Sequence, residues 1–286
     1  SSLRHIRTNN KGEKMTSKTI LITGATDGIG QQTARELAQM GHKVLVHARD
    51  QEKGAKVINE INRASCNENL VLYISDFSDL ASVVKMANEI QREQERLDVL
   101  INNAGTFSKE RVVTRDGNEL TFQVNHLAPF LLTHLLLDLI KQSAPARIVN
   151  VSSGAHRSAN ASYFEDLQGE RAYDGFRAYD FSKLANILFT NELAERLAGS
   201  GVTANSLHPG TIDTKLLRMS YDLDGRSVED GARLSIHLAS SPDVEGITGK
   251  YFSSMQEKQP ADQALNKELQ KRLWTISEEL TGRFLI

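Results

Sequence analysis

Short apolar runs alternate along the chain with segments whose apolar residues recur at helical spacing. The strand-like runs are Thr19–Thr23, Lys43–His47, Leu70–Ser75, Asp98–Ile101, Arg147–Val151 and Val202–Leu207. The helical segments are Gly30–Met40, Gln51–Arg63, Leu80–Gln94, Glu119–Lys141 and Tyr179–Leu197. This alternation predicts right-handed βαβ units, which build a doubly wound parallel sheet with helices on both faces. We therefore predict a single α/β domain over residues 15–286, preceded by a tail at residues 1–14 that is disordered or left over from expression.

Three segments that follow strands have no periodicity: Thr106–Asn118, Gly154–Ala178 and Gly210–Val228. Ligands of an open parallel sheet bind outside the carboxyl ends of its strands, so these segments are candidate walls of a substrate site. The third segment contains several apolar residues: Leu216, Leu217, Met219, Tyr221 and Leu223. They predict an apolar mouth to the site, although packing of the loop explains them equally well.

The charge balance of the 286 residues gives no electrostatic basis for binding nucleic acid or an anionic membrane. Lys and Arg number 34, Asp and Glu number 36, and the net charge is −2. The single cysteine, Cys66, excludes an intrachain disulfide and a cysteine-based metal site. It favours a reducing compartment, and we expect a cytoplasmic protein without a metal.

The most apolar stretch, Leu127–Ile140, is too short to span a bilayer and contains Pro129. A buried helix is the expected structure there. Residues 1–14 have no apolar core, which excludes a secretory signal. We therefore expect no membrane anchor.

A glycine-rich loop follows the first predicted strand and opens the first helix, with the sequence Gly24-Ala25-Thr26-Asp27-Gly28-Ile29-Gly30. Glycine is needed where the chain turns sharply and where backbone approaches a pyrophosphate. The helix N-terminus that follows presents unpaired N–H groups to the phosphates. The spacing G-x-x-x-G-x-G differs from G-x-G-x-x-G, and an ordinary strand-to-helix turn is the alternative. The position in the first βα unit favours dinucleotide binding and a Rossmann-type fold.

Tyr179 and Lys183 are one helical turn apart and share a face of a predicted helix. The reference pKa of tyrosine is about 10, and a nearby cation favours the phenolate. Such a pair can exchange a proton with a bound carbonyl or alcohol. A solvated helix face is the alternative. Ser152 and Ser153 end a predicted strand, where a hydroxyl can hold a substrate oxygen or simply begin a loop.

Together these motifs resemble the short-chain dehydrogenase/reductase family from about Lys18 to Phe252. The motifs occur in the family's order: Gly24-x-x-x-Gly28-x-Gly30, Asn102-Asn103-Ala104-Gly105, Asn125, Ser153, Tyr179-x-x-x-Lys183 and Pro209-Gly210. Within the family the chain resembles the retinol dehydrogenase and WW-domain oxidoreductase branch. The segments LQGERAYDGFRAYDFSKLANILFTNELAERL, SLHPGTIDTKL, VEGITGKYF and LWTISEELTG carry that closer likeness.

The resemblance implies a catalytic role for four residues. Ser153, rather than Ser152, would hydrogen-bond the substrate oxygen. Tyr179 would be the general acid in reduction and the general base in oxidation. Lys183 would bind the nicotinamide ribose and tune Tyr179, and Asn125 would help to hold a water that relays protons toward Lys183.

The resemblance also implies the coenzyme contacts. Asn102 would brace its strand, and Asp76 with its neighbour Phe77 would meet the adenine. The remaining contacts would be the glycine loop with Thr26, Asp27 and Ile29, the ribose border at Asn103, Ala104 and Gly105, and the nicotinamide border at Pro209, Gly210 and Thr211.

The end of the second strand predicts NADP(H) as the coenzyme. NAD-binding units place an acid beside the adenosine ribose, whereas NADP-binding units place an arginine there for the 2′-phosphate. The acid position here is Ala48, and Arg49 follows with a guanidinium that can grip a phosphate. Asp50 is expected to cap the next helix rather than to bind the ribose. Asp27 departs from the pattern, because many NADP-using members have a basic residue there.

The sequence also predicts the oligomeric state, with one alternative. The helices Glu119–Lys141 and Tyr179–Leu197 are apolar nearly all round, which predicts a homodimer through a second apolar face. The alternative is that the C-terminal segment with Trp274 covers that face.

The predicted function is a hydride-transferring oxidoreductase acting on an apolar carbonyl or alcohol, retinoid-like or steroid-like. The alternatives are a catalytically silent coenzyme-binding regulator and a double-bond reductase of the protochlorophyllide type.

Overall fold

Eight strands form one sheet in the order β3-β2-β1-β4-β5-β6-β7-β8, parallel throughout except for the antiparallel β8. Their bounds are β1 Thr19–Ile22, β2 Lys43–Ala48, β3 Leu70–Ile74, β4 Val99–Asn102, β5 Ala146–Val151, β6 Val202–His208, β7 Tyr251–Ser253 and β8 Gln256–Lys258. The first six agree with the predicted strands to within one residue at each end. The short strands β7 and β8 were not predicted.

The computed structural model describes residues 17–220 and 225–285, without the side chains of Met219 and Ser220. The predicted tail at residues 1–14 lies outside the described residues, as do Tyr221 and Leu223 of the predicted apolar mouth.

Helices follow most strands. Their bounds are α1 Gly28–Gln39, α2 Gln51–Ser65, α3 Leu80–Glu93, α4 Leu120–Phe122, α5 Ala128–Gln142, α6 Gly175–Arg196, α7 Lys215–Ser220, α8 Val228–Ser240, α9 Asp262–Leu265 and α10 Lys267–Thr281. The helices after β6 were not predicted. Helix α6 begins one turn earlier than predicted, because the Asp174 carboxylate accepts hydrogen bonds from the backbone N–H groups of Phe176 and Arg177 and caps it.

Both faces of the sheet are covered. On one face, Leu37 of α1, Ile61 of α2 and Leu234 of α8 join one buried cluster. On the other, Met86 of α3 and Leu131 of α5 join a second. Each such side chain contributes about 1.5–3 kcal/mol when it leaves water. The architecture is the predicted single Rossmann-type α/β unit with a doubly wound sheet.

The predicted helix Glu119–Lys141 is interrupted by a π turn over Gln123–Leu127, which separates α4 from α5. The stretch Leu120–Gln142 is long and apolar enough to cross a membrane by composition, but 72% of it is buried inside the fold. It is a core helix, as its composition predicted.

Helix α10 covers the apolar residues of α5 and α6. The ring of Trp274 lies 5.2 Å from that of Phe130 and 5.9 Å from that of Phe189, and the Arg196 guanidinium lies 4.1 Å from the Trp274 ring. This arrangement favours the alternative given above, that the chain itself covers the second apolar face of the two helices. The homodimer stays a prediction, without that face as its support.

Candidate active site

The glycine loop is packed too tightly to accept side chains. Gly24 and Gly28 have φ angles of +64° and +49°, a region that favours glycine. A Cβ on Gly30 would lie 2.3 Å from the Gly24 carbonyl oxygen, and one on Gly24 would lie 2.9 Å from the Cα of Ala104. The loop therefore leads β1 directly into the N-terminus of α1, where unpaired N–H groups can meet a pyrophosphate.

The end of β4 holds this loop in place. The Thr23 hydroxyl oxygen accepts hydrogen bonds from the backbone N–H groups of Asn103 and Ala104, at 2.9 and 3.0 Å. The Asn103 side chain donates to the Thr23 carbonyl at 2.9 Å. Asn102 instead donates to the Asn150 side chain at 2.8 Å and braces β4 against β5, as predicted.

A buried histidine that was not predicted connects the loop to the end of β3. His47 Nδ1 accepts from the Gly24 N–H at 3.0 Å, so Nε2 donates to the Ser75 carbonyl at 2.9 Å. Burial lowers the pKa of His47 to about 4, and the ring is neutral at physiological pH. Phe77 stacks on it at 4.4 Å and is buried, which leaves the backbone of Phe77 for any coenzyme contact. Asp76 lies beside it, and Oδ1 accepts from the N–H and hydroxyl of Ser78.

The second strand ends where the coenzyme prediction required. Ala48 is its last residue, and Arg49 follows as an exposed side chain. Asp50 Oδ1 accepts from the Lys53 N–H at 2.7 Å and caps α2, as predicted. Arg49 therefore lies at the carboxyl edge of the sheet, at the end of the strand that pairs with β1.

The acidic loop residue Asp27 is neutralised by two lysines that sequence reasoning missed. Lys53 Nζ and Lys215 Nζ lie 3.0 and 2.9 Å from Asp27 Oδ2. Partial burial raises the pKa of Asp27, but hydrogen bonds from Lys215 and Lys53 outweigh it and hold that pKa below its usual value. The three side chains together carry one positive charge at the position where Asp27 alone would place a negative one.

The segment after β6 reaches across to the glycine loop. Pro209, Gly210 and Thr211 leave β6 at the same edge of the sheet. Farther along, the Thr214 methyl group lies 3.2 Å from the position of a Cβ on Gly28. Thr26 and Ile29 are partly buried in the loop beneath. The segment after β6 therefore contacts the glycine loop at Gly28.

Tyr179 and Lys183 lie one turn apart on α6, and both are buried. Lys183 Nζ lies 5.5 Å from the centre of the Tyr179 ring and 3.4 Å from the Val151 carbonyl oxygen. Burial lowers the pKa of Lys183 to about 8, so the side chain is still mainly cationic at pH 7. The pair is not on a solvated helix face, which removes that alternative.

Asn125 lies in the π turn, near Gly105 and Lys183. Its Oδ1 accepts from the Thr106 N–H at 2.7 Å, and its Nδ2 donates to the Ser182 hydroxyl at 2.9 Å. A Cβ on Gly105 would lie 3.5 Å from Asn125 Oδ1 and 3.4 Å from Lys183 Nζ. Single π turns inside helices are frequent at functional sites, and this one brings Asn125 near Lys183.

The two serines after β5 have different environments. The Ser152 hydroxyl is buried and donates to the Lys183 carbonyl at 2.6 Å. Ser153 is partly exposed, and its Oγ accepts from the Ala155 N–H at 3.2 Å, which leaves its own hydrogen free to donate. The geometry agrees with the choice of Ser153 as the substrate-binding serine.

Comparison with known proteins identifies the family. The family model described as short chain dehydrogenase matches residues 18–222. Retinol dehydrogenase 12 of Mus musculus is 44% identical over 274 residues, 93% of this chain and 86% of that protein. The chain belongs to the short chain dehydrogenase family.

Solved structures of this family superpose well on the chain. An uncharacterized protein from Mycobacterium paratuberculosis matches with a TM-score of 0.77 and 34% identity, over 93% of each chain. A short chain dehydrogenase from Escherichia coli CFT073, complexed with NADPH, matches with a TM-score of 0.68 and 26% identity. That match covers 83% of this chain and 96% of the other.

In this short chain dehydrogenase, the segment that follows Ser153, which we call the serine loop, is hydrogen-bonded to a C-terminal stretch around Ala261. This contact was not predicted. His156 Nε2 accepts from the Ala261 N–H at 3.1 Å, so Nδ1 donates to the Ser153 carbonyl at 2.6 Å. Arg157 donates to the Gln259 carbonyl at 2.7 Å. His156 and Ala261 are 105 positions apart, and no local pattern indicates such a contact.

Proposed function

We propose that this short chain dehydrogenase is an NADP(H)-dependent oxidoreductase that interconverts a carbonyl and an alcohol, with Tyr179 as the general acid and base. The observation that carries the proposal is the buried cluster of Tyr179, Lys183 and Asn125 behind Gly105. A buried cation beside a phenol, at the open edge of a nucleotide-binding sheet, fits proton transfer better than a structural role.

The residues present fit a nicotinamide dinucleotide. Side chains would fill the turn at Gly24 and Gly30, so the loop leaves room for a pyrophosphate at the N-terminus of α1. Arg49 offers a planar group for a 2′-phosphate, and Lys53 and Lys215 offset the charge of Asp27. When bound, the nicotinamide would supply or accept the hydride. The NADPH complex of the Escherichia coli relative supports this coenzyme.

The chain's own residues would handle the oxygen and the proton. In reduction, Ser153 would donate a hydrogen bond to the carbonyl oxygen, and Tyr179 would give its phenolic proton to that oxygen. Lys183 would hold the ribose hydroxyls and stabilise the phenolate that remains. Asn125 would keep a water in reach of Lys183 to restore the proton. Because the pKa of Lys183 is about 8, its cation, and this support, would fade as the pH rises above that value.

The proposed substrate is an apolar carbonyl or alcohol of the retinoid or steroid type. Its support is the name of the relatives, retinol dehydrogenases, and the partly buried Leu216 and Leu217 on α7. A cytoplasmic location is part of the proposal. So is a homodimer, which light scattering at micromolar concentration would test and which would need a surface other than the one under α10.

The test is oxidation of NADPH with a panel of aldehydes and ketones. We expect Tyr179→Phe to lower turnover about 100-fold or more while NADPH still binds, because the ring remains and only the proton is lost. Tyr163→Phe is the matched control: Tyr163 is buried, and its hydroxyl has no hydrogen-bond partner among the described residues. Equal turnover in wild type and Tyr179→Phe would refute the proposal, and no turnover of any substrate would favour a silent coenzyme-binding regulator.

A further inference from the structure

A cavity of about 520 Å³ opens where β6 and β7 end, outside the catalytic cluster described above. We call it the β6–β7 cavity. It is lined by His208, Thr211, Arg226, Ser253, Ser254 and two glycines. His208 joins it to the active site, because Nδ1 of this residue accepts from the N–H of Gly154, which follows Ser153, at 3.0 Å.

The lining side chains are hydrogen-bond donors, and no acid is among the lining residues that the structure describes. Arg226 brings a guanidinium, which no Asp or Glu among residues 17–220 and 225–285 approaches within ion-pair distance. The nearest acid in the neighbouring smaller cavity, Asp230, is paired with Arg233 at 3.5 Å. A cavity with several hydroxyls and a guanidinium that no described acid neutralises favours an anionic ligand.

His208 adds a neutral donor to this set. Its Nδ1 accepts two backbone N–H groups, from Gly154 at 3.0 Å and Gly210 at 3.4 Å. The proton of the neutral ring is therefore on Nε2. Burial, followed by the positive charges of neighbours including Arg226 and Arg157, lowers the pKa of His208 to about 4. The ring stays neutral at physiological pH and offers one N–H.

Arg226 is held in position before any ligand arrives. Its backbone N–H donates to the Thr211 carbonyl at 2.8 Å, and its carbonyl accepts from the Asp213 N–H at 2.9 Å. Its guanidinium lies against Gly210, where a Cβ would be 2.1 Å from Nη2. Gly210 has a φ of +100°, so glycine is required here both for the backbone and for the arginine. The backbone of Arg226 is therefore fixed, and its exposed side chain lines the cavity from that position.

The turn between β7 and β8 bears strain at the rim of the same cavity. Ser254 and Met255 have φ angles of +52° and +62°, where turns of this kind favour Asn and Gly. A left-handed conformation costs a non-glycine residue about 1–2 kcal/mol. Such strain collects at binding sites, and here it places Ser254 on the cavity wall.

We propose that the β6–β7 cavity is an anion subsite, in which Arg226, His208 and Ser253 bind a carboxylate or phosphate carried by the substrate at the end away from its reacting carbon. The proposal rests on the proposed function, since Ser153 and Tyr179 fix the reacting carbon. The substrate class it implies is an aldehyde, ketone or alcohol with an apolar body and an acidic end.

The test compares matched substrates with and without the charge. Succinic semialdehyde and para-carboxybenzaldehyde are each paired with the methyl ester, and glyceraldehyde phosphate with glyceraldehyde, which separates the carboxylate from the phosphate. We expect Arg226→Gln to lower kcat/KM for the preferred acid by about 10–150-fold, as for other charge-assisted contacts, and to affect its neutral partner much less. Arg233→Gln is the control, because Arg233 is exposed and ion-paired outside the cavity.

Two binding measurements keep the outcomes apart. Calorimetry of benzoate with the protein saturated in NADP⁺ should show binding to the wild type and its loss in Arg226→Gln. The Kd of NADPH should be the same in both proteins within about twofold. An equal loss of kcat/KM for acid and neutral substrates, or a parallel loss of NADPH affinity, would overturn the proposal and assign Arg226 to the coenzyme. If no aldehyde is turned over, the proposed function fails, and the benzoate measurement still decides the subsite.

Discussion

At the β1–β3 end of the sheet the charged side chains around Asp27 stand in solvent, whereas Lys183, at the β5–β6 end, is buried. Lys53 and Asp27 expose 43% and 49% of their side chains, and Lys215 exposes 70%. Lys183 is only 3% exposed. Asp27 and its two lysines lie beside the proposed coenzyme phosphates, and Lys183 lies beside the proposed reacting carbonyl.

The two ends therefore depend on different physics. Exposed ion pairs such as that of Asp27 with Lys215 are screened by salt and contribute little, so phosphate binding at the β1–β3 end depends on charge-assisted hydrogen bonds and a well-shaped backbone loop. A buried cation acts strongly on its neighbour but is costly to bury, so its surroundings must be fixed. The C-terminal stretch fixes these surroundings at the β5–β6 end, because Ala261 hydrogen-bonds to His156 and helix α10 packs against α6.

The largest effect is expected at the exposed end, on the coenzyme itself. Arg49→Ala should weaken NADPH binding by about 10–150-fold and leave NADH almost unchanged, because only NADPH carries the 2′-phosphate. Fluorescence titration of both coenzymes into wild type and variant measures this. The loss should shrink as salt is raised. Equal losses for the two coenzymes, or a wild-type preference for NADH, would show that Arg49 does not read the phosphate.

At the buried end, removing the support of the serine loop should slow turnover while coenzyme binding is unchanged. His156→Phe fills the space but leaves the Ala261 N–H without its partner, a loss that costs about 1–3 kcal/mol of stability. The Ser153 carbonyl loses the side-chain hydrogen bond and keeps the one from the backbone N–H of residue 156, at 3.2 Å. We expect kcat to fall about tenfold, in the range of a misplaced reacting group, with the NADPH Kd unchanged and no dependence on salt.

The matched control is His237→Phe. His237 lies in the last turn of α8, near the Ala239 carbonyl that accepts from Lys18 at the opposite edge of the sheet. It should change neither kcat nor the NADPH Kd. If His156→Phe also had a normal kcat, the C-terminal stretch would not position the serine loop for catalysis. The proposed difference between the two ends of the sheet would then be wrong.

The smallest effect concerns the Asp27–Lys215 pair. A double-mutant cycle with Asp27→Asn and Lys215→Met on the NADPH Kd should give a coupling of about 0.2–1 kcal/mol, typical of exposed pairs. The pKa of Asp27 is lowered in the folded protein, so the coupling should be present at neutral pH and disappear as the pH falls through that pKa. A coupling that survives high salt would mean that the pair is shielded from solvent and that the two ends differ less than proposed.

The sequence predicted features whose cause is local. Strands β1 to β4 are short, largely apolar runs, the glycine loop is read from adjacent residues, and Asp50 caps α2 because the preceding strand ends at Ala48. Helical spacing puts Tyr179 and Lys183 on one face of a helix, and the resemblance to the family supplies their proposed roles.

What could not be predicted comes from distant parts of the chain. Lys53 and Lys215 meet Asp27 only because α2 and α7 converge on the loop. The π turn at Asn125 interrupts a helix whose apolar periodicity continues through it. Helix α10 was not predicted as a helix, and the sequence left open whether its Trp274 or a second subunit covers α5 and α6; the structure places Trp274 against both.

That seat for Trp274 also affects how the protein is made in the cell. Phe130 and Phe189 leave the ribosome well before Trp274, and until α10 follows, their apolar surface has no cover. Over that interval the nascent chain is prone to aggregate and depends on chaperones. A message that stops before α10 would therefore give a product for degradation rather than a smaller working enzyme. Substitutions in the last helix should accordingly be limited by cellular yield before they are limited by chemistry.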